Sequence, residues 1–339
     1  MKKLSLIDKF IFIVNSILAT ILFIAYFSYY IPPNSISFVS ILSLSVPFLI
    51  LINLIFAIYW LIKLKKQFWL STIILLLGYQ YIAKFYSFNE KKVLLTEDIK
   101  VMSYNVRMFN LYNWIEEKDV AQKIYDFIKD KDPDILCLQE FHTAAKIGFN
   151  YPYKFIKTSN KKNNFGHAIF SKYKIINSGS LNFSNTSNNT IFVDVVKNKD
   201  TIRVYNVHLE SLKINPKKDN FNQEISDKLR VRVENSFKKQ ANQATLITEH
   251  LKKVNYKSII CADLNNNAFS WVYHKLKTDK NDAFEVAGEG FGKTFDYYFP
   301  FRIDFILTDK SLEINNFKTF TVPHSDHYPI MARLNFNPS

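Results

Sequence analysis

The sequence is poor in glycine and cysteine, and each shortage excludes a class of protein. Seven glycines and ten prolines among 339 residues are too few for a low-complexity or disordered chain. Both cysteines, Cys137 and Cys261, lie inside apolar runs, so we interpret them as small core residues. They provide neither a disulfide framework nor a cysteine metal site. The length of 339 residues suffices for one large domain or two of ordinary size, and the 48% of hydrophobic residues allow a sizeable core.

Charge is missing from three stretches near the N-terminus. Residues 10–31 and 36–62 contain no charged residue, and each exceeds the roughly 20 residues that a helix needs to cross a bilayer. The third stretch, residues 68–83, is marginal unless the aromatic residues around Lys84 complete it. The pattern therefore predicts three transmembrane helices, and with them the lipid bilayer as a partner.

Two other interpretations of these stretches are less favourable. A cleaved signal peptide is shorter than the first stretch and ends in a small-residue cleavage site, which is missing here. Core helices of a soluble protein would not supply three such runs within ninety residues. The composition becomes mixed at FNEKKVLLTEDIK, so we predict a membrane domain of residues 1–90 and a second domain of residues 91–339.

The lysines near the apolar stretches predict an orientation, because basic loops stay in the cytoplasm. The N-terminal tail has three lysines, the second loop has three more at positions 63, 65 and 66, and the first loop has none. We therefore expect a multi-pass protein of the inner or plasma membrane with its second domain outside the cytoplasm. The lysines at positions 84, 91 and 92 oppose this orientation, but they precede a long domain, whose translocation depends less on charge.

The second domain is basic. Of the formal net charge of +14, seven lysines and two acids give residues 1–90 a charge of +5, which leaves +9 for residues 91–339. A basic surface favours acidic partners such as phosphate esters, nucleic acid or anionic lipid. A lysine-rich background composition without function is the alternative. The composition implies no obligate protein partner.

Polar residues stand where apolar strands of the second domain end. The strand SIICADLNN ends on Asp263 and Asn265. The same pattern gives Asn105 after DIKVMSYN, Glu140 after DILCLQE, His208 after TIRVYNVH, Asp304 within FRIDFIL, and Asp326 and His327 before a final strand. In a layered α/β fold, strand ends meet at one edge where ligands bind. Strands with nearly continuous apolar character indicate sheets that are covered on both faces.

The chemistry of this set points to phosphate esters. A carboxylate such as Glu140 is a hard oxygen ligand for Mg²⁺ or Mn²⁺. Asparagines supply neutral ligands or donors to phosphate oxygens, and histidines can stabilise charge on a phosphate or protonate a leaving group. A separate aspartate can orient or deprotonate water. Metal, donors and base together describe phosphate-ester hydrolysis.

Six blocks of the sequence resemble, in order, the signature blocks of the endonuclease/exonuclease/phosphatase superfamily. They are SYNVR, LCLQE, NVHLES, ADLNN, RIDFIL and SDHYPI, and the resemblance covers roughly residues 98–336. It implies an α/β fold, the four-layered sandwich of two packed mixed β-sheets flanked by helices, here preceded by the three transmembrane helices. The approach to the RIDFI block is similar to that of membrane-attached bacterial members.

The resemblance also implies a metal set. Glu140 looks like the main ligand of Mg²⁺ or Mn²⁺, Asn105 lies near that metal and the attacked phosphate, and Asp326 belongs to the metal shell directly or through water.

Five further residues receive catalytic roles from the resemblance. Asp263 looks like the residue that aligns or deprotonates the attacking water, with Asn265 beside it on the phosphate. His327 looks like the histidine that contacts the scissile phosphate, and Asp304 would orient and polarise it. His208 matches the second phosphate-contacting histidine of the DNase and phosphatase branches.

The sequence departs from one branch and leaves one alternative metal open. Arg107 stands where abasic-site endonucleases carry an acid, and His208 occupies a block where those repair enzymes use no histidine, so both weaken a DNA-repair interpretation. A zinc site built from His208, His324 and His327 is an alternative, but oxygen ligands dominate the set and no cysteine is available.

We therefore expect a membrane-anchored, metal-dependent phosphoesterase that hydrolyses a phosphate ester or phosphodiester by water attack at phosphorus. The alternatives are a nuclease acting on DNA or RNA, and a non-catalytic membrane protein that binds a phosphate-containing ligand. Singly, each polar residue could be a strand cap, a surface acid or a buried histidine with a structural partner. An idle site has no need of the whole set, which favours the enzyme.

Overall fold

The computed structural model describes residues 4–145, 147–159, 164–212 and 223–336. Its helices are α1 (Leu6–Tyr26), α2 (Ser37–Ile62), α3 (Phe68–Leu77), α4 (Tyr79–Phe85), α5 (Val120–Lys131), α6 (Gln223–Leu251), α7 (Trp271–Lys277) and α8 (Ala283–Ala287). Short 3₁₀ turns occupy Phe27–Tyr29, Arg107–Asn110 and Thr143–Ala145. The strands are β1 (Ser87–Phe88), β2 (Ile99–Asn105), β3 (Ile135–His142), β4 (Tyr153–Thr158), β5 (Phe165–Ser171), β6 (Lys174–Ser180), β7 (Asn189–Lys197), β8 (Asp200–His208), β9 (Lys257–Asp263), β10 (Lys280–Asp282), β11 (Glu289–Gly290), β12 (Asp304–Asp309), β13 (Glu313–Thr319) and β14 (Ile330–Asn335).

Two mixed six-stranded sheets lie between residues 99 and 335, which confirms the predicted fold class. The first sheet has the order β13-β14-β2-β3-β5-β4, and the second has the order β10-β12-β9-β8-β7-β6. Each sheet contains one parallel pair, β2 with β3 and β8 with β9, among antiparallel neighbours. Because both strands of a parallel pair end at the same edge, this topology gathers the polar strand ends that the sequence showed.

The main core lies between apolar faces of the two sheets. Val101, Cys137 and Ile169 of the first sheet and Val204 and Ile259 of the second belong to one cluster of fully buried side chains. Both cysteines are free and buried, as predicted.

A second core lies on the other face of the first sheet. Helix α5 contributes Val120, Ile124 and Ile128, one residue from each turn, so its apolar stripe faces the sheet. The first sheet is therefore covered on both faces, which explains why its central strands read as continuous apolar runs.

The chain divides into two compact units that do not follow the sequence boundary strictly. The first unit contains the described residues within Met1–Tyr86, Lys213–Ala241 and Asn267–His274, and the second contains the rest. The assignment of residues 1–90 to a membrane domain and of residues 91–339 to a catalytic domain stays a prediction.

Two N-terminal helical segments are long and apolar enough to cross a membrane, or three if a bent pair is one span. The first two are Leu6–Tyr29 and Ser37–Ile62. The third predicted span is not one straight helix, because α3 and α4 meet at an angle of 74°. The break lies at Gly78, against which the ring of Tyr26 packs so closely that a β-carbon at residue 78 would lie 2.1 Å from it.

Candidate active site

A bulge in the first sheet displays Glu140. Strands β3 and β5 pair Leu138 with Ala168 and Phe141 with Gly166, so two residues of β3 face the single residue His167. Glu140 adopts a φ of +49°, a left-handed conformation that non-glycine residues seldom adopt. Such strain is retained where a side chain must be re-aimed, and here it directs a half-buried carboxylate to the sheet edge.

Side chains between the sheets hold this bulge. Gln139 donates from Nε2 to Ser103 Oγ at 3.0 Å and to Asn206 Oδ1 at 2.8 Å. Asn206 in turn donates from Nδ2 to the carbonyls of Leu138 and Ala168 at 2.8 and 2.9 Å. Carbonyls beside the bulge thus have donors, and the second sheet is bonded to the first at the level of Glu140.

Three of the predicted residues form a row across the second sheet. The register aligns His208 of β8 with Asp263 of β9, and Asp263 with Asp304 of β12. All three are buried, and Asp263 has no exposed surface. The sheet register, which the sequence alone does not define, therefore brings a histidine and two carboxylates together.

Asn105 and Asp263 join the two sheets at the site. Asn105 Nδ2 donates to Asp263 Oδ2 at 2.9 Å and to Glu140 Oε1 at 3.2 Å. His208 Nε2 lies 3.5 Å from the same oxygen of Asp263 and 3.9 Å from Glu140 Oε1. Four of the predicted side chains therefore surround one point between the sheet edges.

Asp304 and His327 form a buried carboxylate–imidazole pair. His327 Nδ1 lies 3.0 and 3.2 Å from the two oxygens of Asp304, and its Nε2 lies 3.8 Å from Asp263 Oδ2. Burial lowers the pKa of His327, but the carboxylates of Asp304, Asp263 and Asp326 outweigh it and hold that pKa well above its ordinary value. Burial raises the pKa of Asp304 to about 6, against the opposing effect of the His327 charge. This places a proton on His327 at neutral pH.

The two remaining predicted residues lie beside this group with other partners. Asn265 has a φ of +48°, and its backbone N–H donates to Asp263 Oδ1 at 2.9 Å while its Nδ2 donates to the Leu209 carbonyl at 3.0 Å. Asp326 Oδ2 lies 3.3 Å from Arg107 Nε. The roles assigned to all eight residues stay predictions.

The donor chemistry of the site suits a hard cation better than a zinc ion held by histidines. In the described ranges, Asp263, Asp304 and His327 are the one group of three or more acidic, histidine or cysteine side chains whose ligand atoms lie within 4.8 Å of one another. It excludes His208 and His324, so the zinc alternative gains no support, and it also excludes Glu140 and Asp326 of the predicted metal set. The Glu140 side chain is 27% exposed, as suits Mg²⁺, which keeps several of its waters.

One imidazole beside the site, that of His167, was not among the predicted site residues. Its ring centroid lies 5.7 Å from that of His208, and His167 is 2% exposed. Among the described residues, neither ring nitrogen of His167 has a hydrogen-bond partner, and nor does Oε1 of Gln139 across the bulge. Burial and the neighbouring His208 lower the pKa of His167 to about 3, so the ring is neutral. The sequence signal that could have identified it is a histidine within the otherwise apolar strand FGHAIFS.

Family models match two parts of the chain. The model of the endonuclease/exonuclease/phosphatase family matches residues 102–327, which include every predicted site residue. Residues 8–85 match the model of a domain of unknown function, DUF8431. No curated protein matches the chain.

Solved structures share the fold of the two-sheet part of the chain. The human Nocturnin catalytic domain with bound sulfate is 18% identical, with a TM-score of 0.53 over 72% of this chain and 95% of that one. An endonuclease/exonuclease/phosphatase from Bacteroides vulgatus is 17% identical, with a TM-score of 0.53 over 71% and 99%. D. rerio TDP2 complexed with single-strand DNA product is 17% identical, with a TM-score of 0.52 over 70% and 99%.

Proposed function

Because this chain belongs to the endonuclease/exonuclease/phosphatase family, whose members hydrolyse phosphoric esters, we propose that it is a membrane-anchored, Mg²⁺-dependent phosphoesterase. The observation that carries the proposal is the convergence of Asn105 and Glu140 from the first sheet with His208, Asp263 and Asp304 from the second, joined by His327 from the segment before β14. The substrate is a phosphate ester or phosphodiester, and water attacks phosphorus.

Asp263 is the residue we assign to the attacking water. Its Oδ1 accepts the Asn265 N–H, and its Oδ2 accepts from Asn105, so the carboxylate is held by two donors. A fixed carboxylate can orient water and accept its proton during attack. The imidazole nitrogens of His208 and His327 lie 3.5 and 3.8 Å from that second oxygen, so a phosphate there would meet both rings.

His327 supplies positive charge to the phosphate. Asp304 bonds its Nδ1, which fixes the ring and leaves Nε2 directed towards Asp263. The raised pKa keeps the ring protonated at neutral pH, so Nε2–H can donate to a phosphate oxygen or to the leaving group. Asn105 and His208 add donors on the other side.

Three residues would hold the cation: Glu140, and with it Asn105 and Asp326, which the resemblance to the family adds to the set. A bound Mg²⁺ supplies Lewis-acid stabilisation of the charge that develops on the phosphate oxygens. The chain itself contributes the strained bulge and the Asn105 hydrogen bond, which fix the Glu140 carboxylate before any cation binds.

Contacts within the N-terminal unit support three spans. Asp8 at the start of α1 accepts from Lys63 Nζ at 2.5 Å and from Tyr59 OH at 2.8 Å, so the N-terminus lies at the end of α2. At the other end of the helices, Tyr81 OH of α4 donates to the Tyr26 carbonyl at 2.8 Å. The bent pair α3–α4 thus runs from one end of the helices to the other. With the basic segments in the cytoplasm, the catalytic domain lies outside it.

A substrate panel tests the activity. The full chain in detergent, with Mg²⁺ or Mn²⁺, is assayed on bis-p-nitrophenyl phosphate, p-nitrophenyl phosphate, phospholipid vesicles and plasmid DNA. We expect hydrolysis of a small ester or phospholipid, with only weak, salt-sensitive binding to DNA because the charge of +9 is spread along the second domain. Plasmid DNA as the best substrate would favour the nuclease, and ligand binding without any hydrolysis would favour the non-catalytic alternative.

Fusions test the orientation. Alkaline phosphatase fused after residue 339 should be active, and green fluorescent protein at the same position should be dark. The opposite pair of results would place the catalytic domain in the cytoplasm and reject α3–α4 as a span.

A further inference from the structure

The backbone takes an unusual path directly after Asn105 of the proposed metal set. The four consecutive residues Arg107–Asn110 have φ angles of +42° to +59°, in the left-handed region that non-glycine residues seldom adopt. Two contacts hold this turn. Phe109 is buried in the second core, and the side chain of Asn110 exchanges hydrogen bonds of 2.8 and 2.9 Å with the backbone of Ile115. Strain of this kind persists where the surroundings fix a side chain in a defined place.

Three contacts orient Arg107, the first residue of that turn. Its backbone N–H donates to Asn105 Oδ1 at 3.0 Å, and its Nε lies 3.3 Å from Asp326 Oδ2. The guanidinium also lies over the ring of Trp114, with Cζ 4.8 Å from the ring centroid. The aromatic face sets the plane of the guanidinium, and the carboxylate beside Nε sets its rotation within that plane.

Part of this oriented guanidinium is available to a ligand. The group has five N–H donors, and the closest approach of Asp326 is at Nε. Among the described residues, no hydrogen bond joins the terminal amino groups of Arg107 to an acceptor. A fixed planar fork with two terminal donors suits the bidentate binding of a phosphate.

Arg107 lies nearer to solvent than the groups assigned to the scissile phosphate. The side chains of Asp263 and His327 are 0% and 6% exposed. Those of Arg107 and Asp326 are 31% and 28% exposed, and Asp326 is the one acidic side chain of the described ranges that pairs with Arg107. The guanidinium would therefore meet a part of the substrate that extends from the scissile phosphorus towards solvent.

We propose that Arg107 binds a second phosphate of the substrate, so that the preferred ester carries a phosphate group beside the scissile one. This inference rests on the proposed function and names a substrate class for that site. Trp114 and Asp326 orient the guanidinium. The second phosphate adds to binding through two parallel N–H donors and takes no part in bond cleavage. A nucleotide and a lipid headgroup can both carry such a group, so the test includes both.

Calorimetry with paired ligands on the full chain in detergent tests the proposal. One pair is thymidine 3′,5′-bisphosphate and thymidine 5′-phosphate. The other is the deacylated headgroup glycerophosphoglycerol with and without a terminal phosphate. EDTA is present, so that metal-dependent hydrolysis does not consume the ligands. In at least one pair we expect the extra phosphate to lower Kd about tenfold or more, the scale of hydrogen bonds between charged groups.

Variants of the arginine show whether it causes this gain. Arg107→Gln removes the charge and should abolish the gain, whereas Arg107→Lys keeps the charge without the fork and should retain about threefold. The matched control is Arg333→Gln, which should keep the full gain. Arg333 Nε also lies near an aspartate, 3.4 Å from Asp98 Oδ2, but beside Lys100 at the start of β2, away from the site. Thermal unfolding, with Tm within about 3 °C of the wild type, checks that each variant is folded.

A gain confined to one pair would support the proposal and identify the nucleotide or the headgroup as the source of the second phosphate. No gain in either pair, or a gain that survives Arg107→Gln, would overturn it. Binding is measured without turnover, so a wild-type chain that hydrolyses nothing in the substrate panel would reject the proposed function while the binding result still decides whether Arg107 holds a phosphate.

Discussion

Two regions of this chain bury polar side chains, and the regions differ in whether those side chains have hydrogen-bond partners. Among the N-terminal helices, Asn15 donates to Ser71 Oγ at 2.6 Å and accepts from Trp60 Nε1 at 3.0 Å, while Ser71 donates to Asn53 Oδ1 at 3.0 Å. All four side chains are fully buried, and each is paired with another helix. Neutral polar groups that bond across helices hold a bundle together where the surroundings are apolar.

The edge of the two sheets is built differently. Asp263, Asp304 and His327 crowd two carboxylates and an imidazole into a buried space, and both nitrogens of His167 have no partner among the described residues. Each such buried, unpartnered polar atom costs about 1–3 kcal/mol. The network among the helices therefore contributes to stability, whereas the sheet edge retains buried groups that cost stability, as the proposed function would require. Changes in the two regions should therefore separate activity from stability.

The largest expected effect is that of metal removal. EDTA should abolish hydrolysis by the full chain, and Mg²⁺ or Mn²⁺ should restore it, because the proposed cation ligand, Glu140, offers hard oxygen donors. Full activity in EDTA, or restoration by Zn²⁺ alone, would contradict the assignment.

Asp304→Asn should lower kcat by a factor of about 10² or more, because it removes the charge that holds the proton on His327. The matched control is Asp309→Asn at the other end of β12, where the carboxylate accepts from Ser311. Steady-state kinetics of both variants decide the point. Equal kcat values for the two variants would show that Asp304 has no role in catalysis.

His167→Phe should lower kcat about fivefold and raise the Tm by about 1–3 °C, since a ring of similar size no longer buries unpartnered nitrogens. His167→Asn, which keeps polar atoms at the position, should recover part of the rate. A His167→Phe variant with a lower Tm and an unchanged rate would make this histidine a structural residue.

The smallest effect on activity is expected within the helices. Asn15→Leu leaves Trp60 Nε1 without its acceptor, so the Tm should fall by about 2–4 °C while kcat stays within about twofold. Thermal unfolding and kinetics on one preparation measure both. A large loss of kcat at an unchanged Tm would contradict the claim that the helix network serves stability rather than activity.

Much of the architecture could be predicted because strand ends have a sequence signal. Apolar runs that end on Asn105, Glu140, His208 and Asp263 predict a shared edge, and the ordered blocks predict the family fold. The structure added what depends on register. The row from His208 to Asp304 and the bulge that sets Glu140 opposite His167 follow from pairings between distant strands, which residue patterns do not encode.

The missed features share one physical cause, because each involves a residue whose partner is remote in sequence. Gly78 breaks the third apolar stretch where Tyr26 packs on it, fifty-two positions away. Pro47 of α2 has no N–H for the Ser43 carbonyl, which instead accepts from Asn267. In the sequence, Asn267 was only one more asparagine of ADLNNN. Neither pairing can be read from hydropathy or local propensity.

The central claim is that residues from both sheet edges form one hydrolytic site around Asp263, and Asp263→Asn tests it most directly. The substitution keeps the shape of the side chain and removes its capacity to accept a proton from water. In the full chain with saturating Mg²⁺ and bis-p-nitrophenyl phosphate, kcat should fall by a factor of about 10² or more while KM and Tm change little. A kcat within about twofold of the wild type would contradict the account.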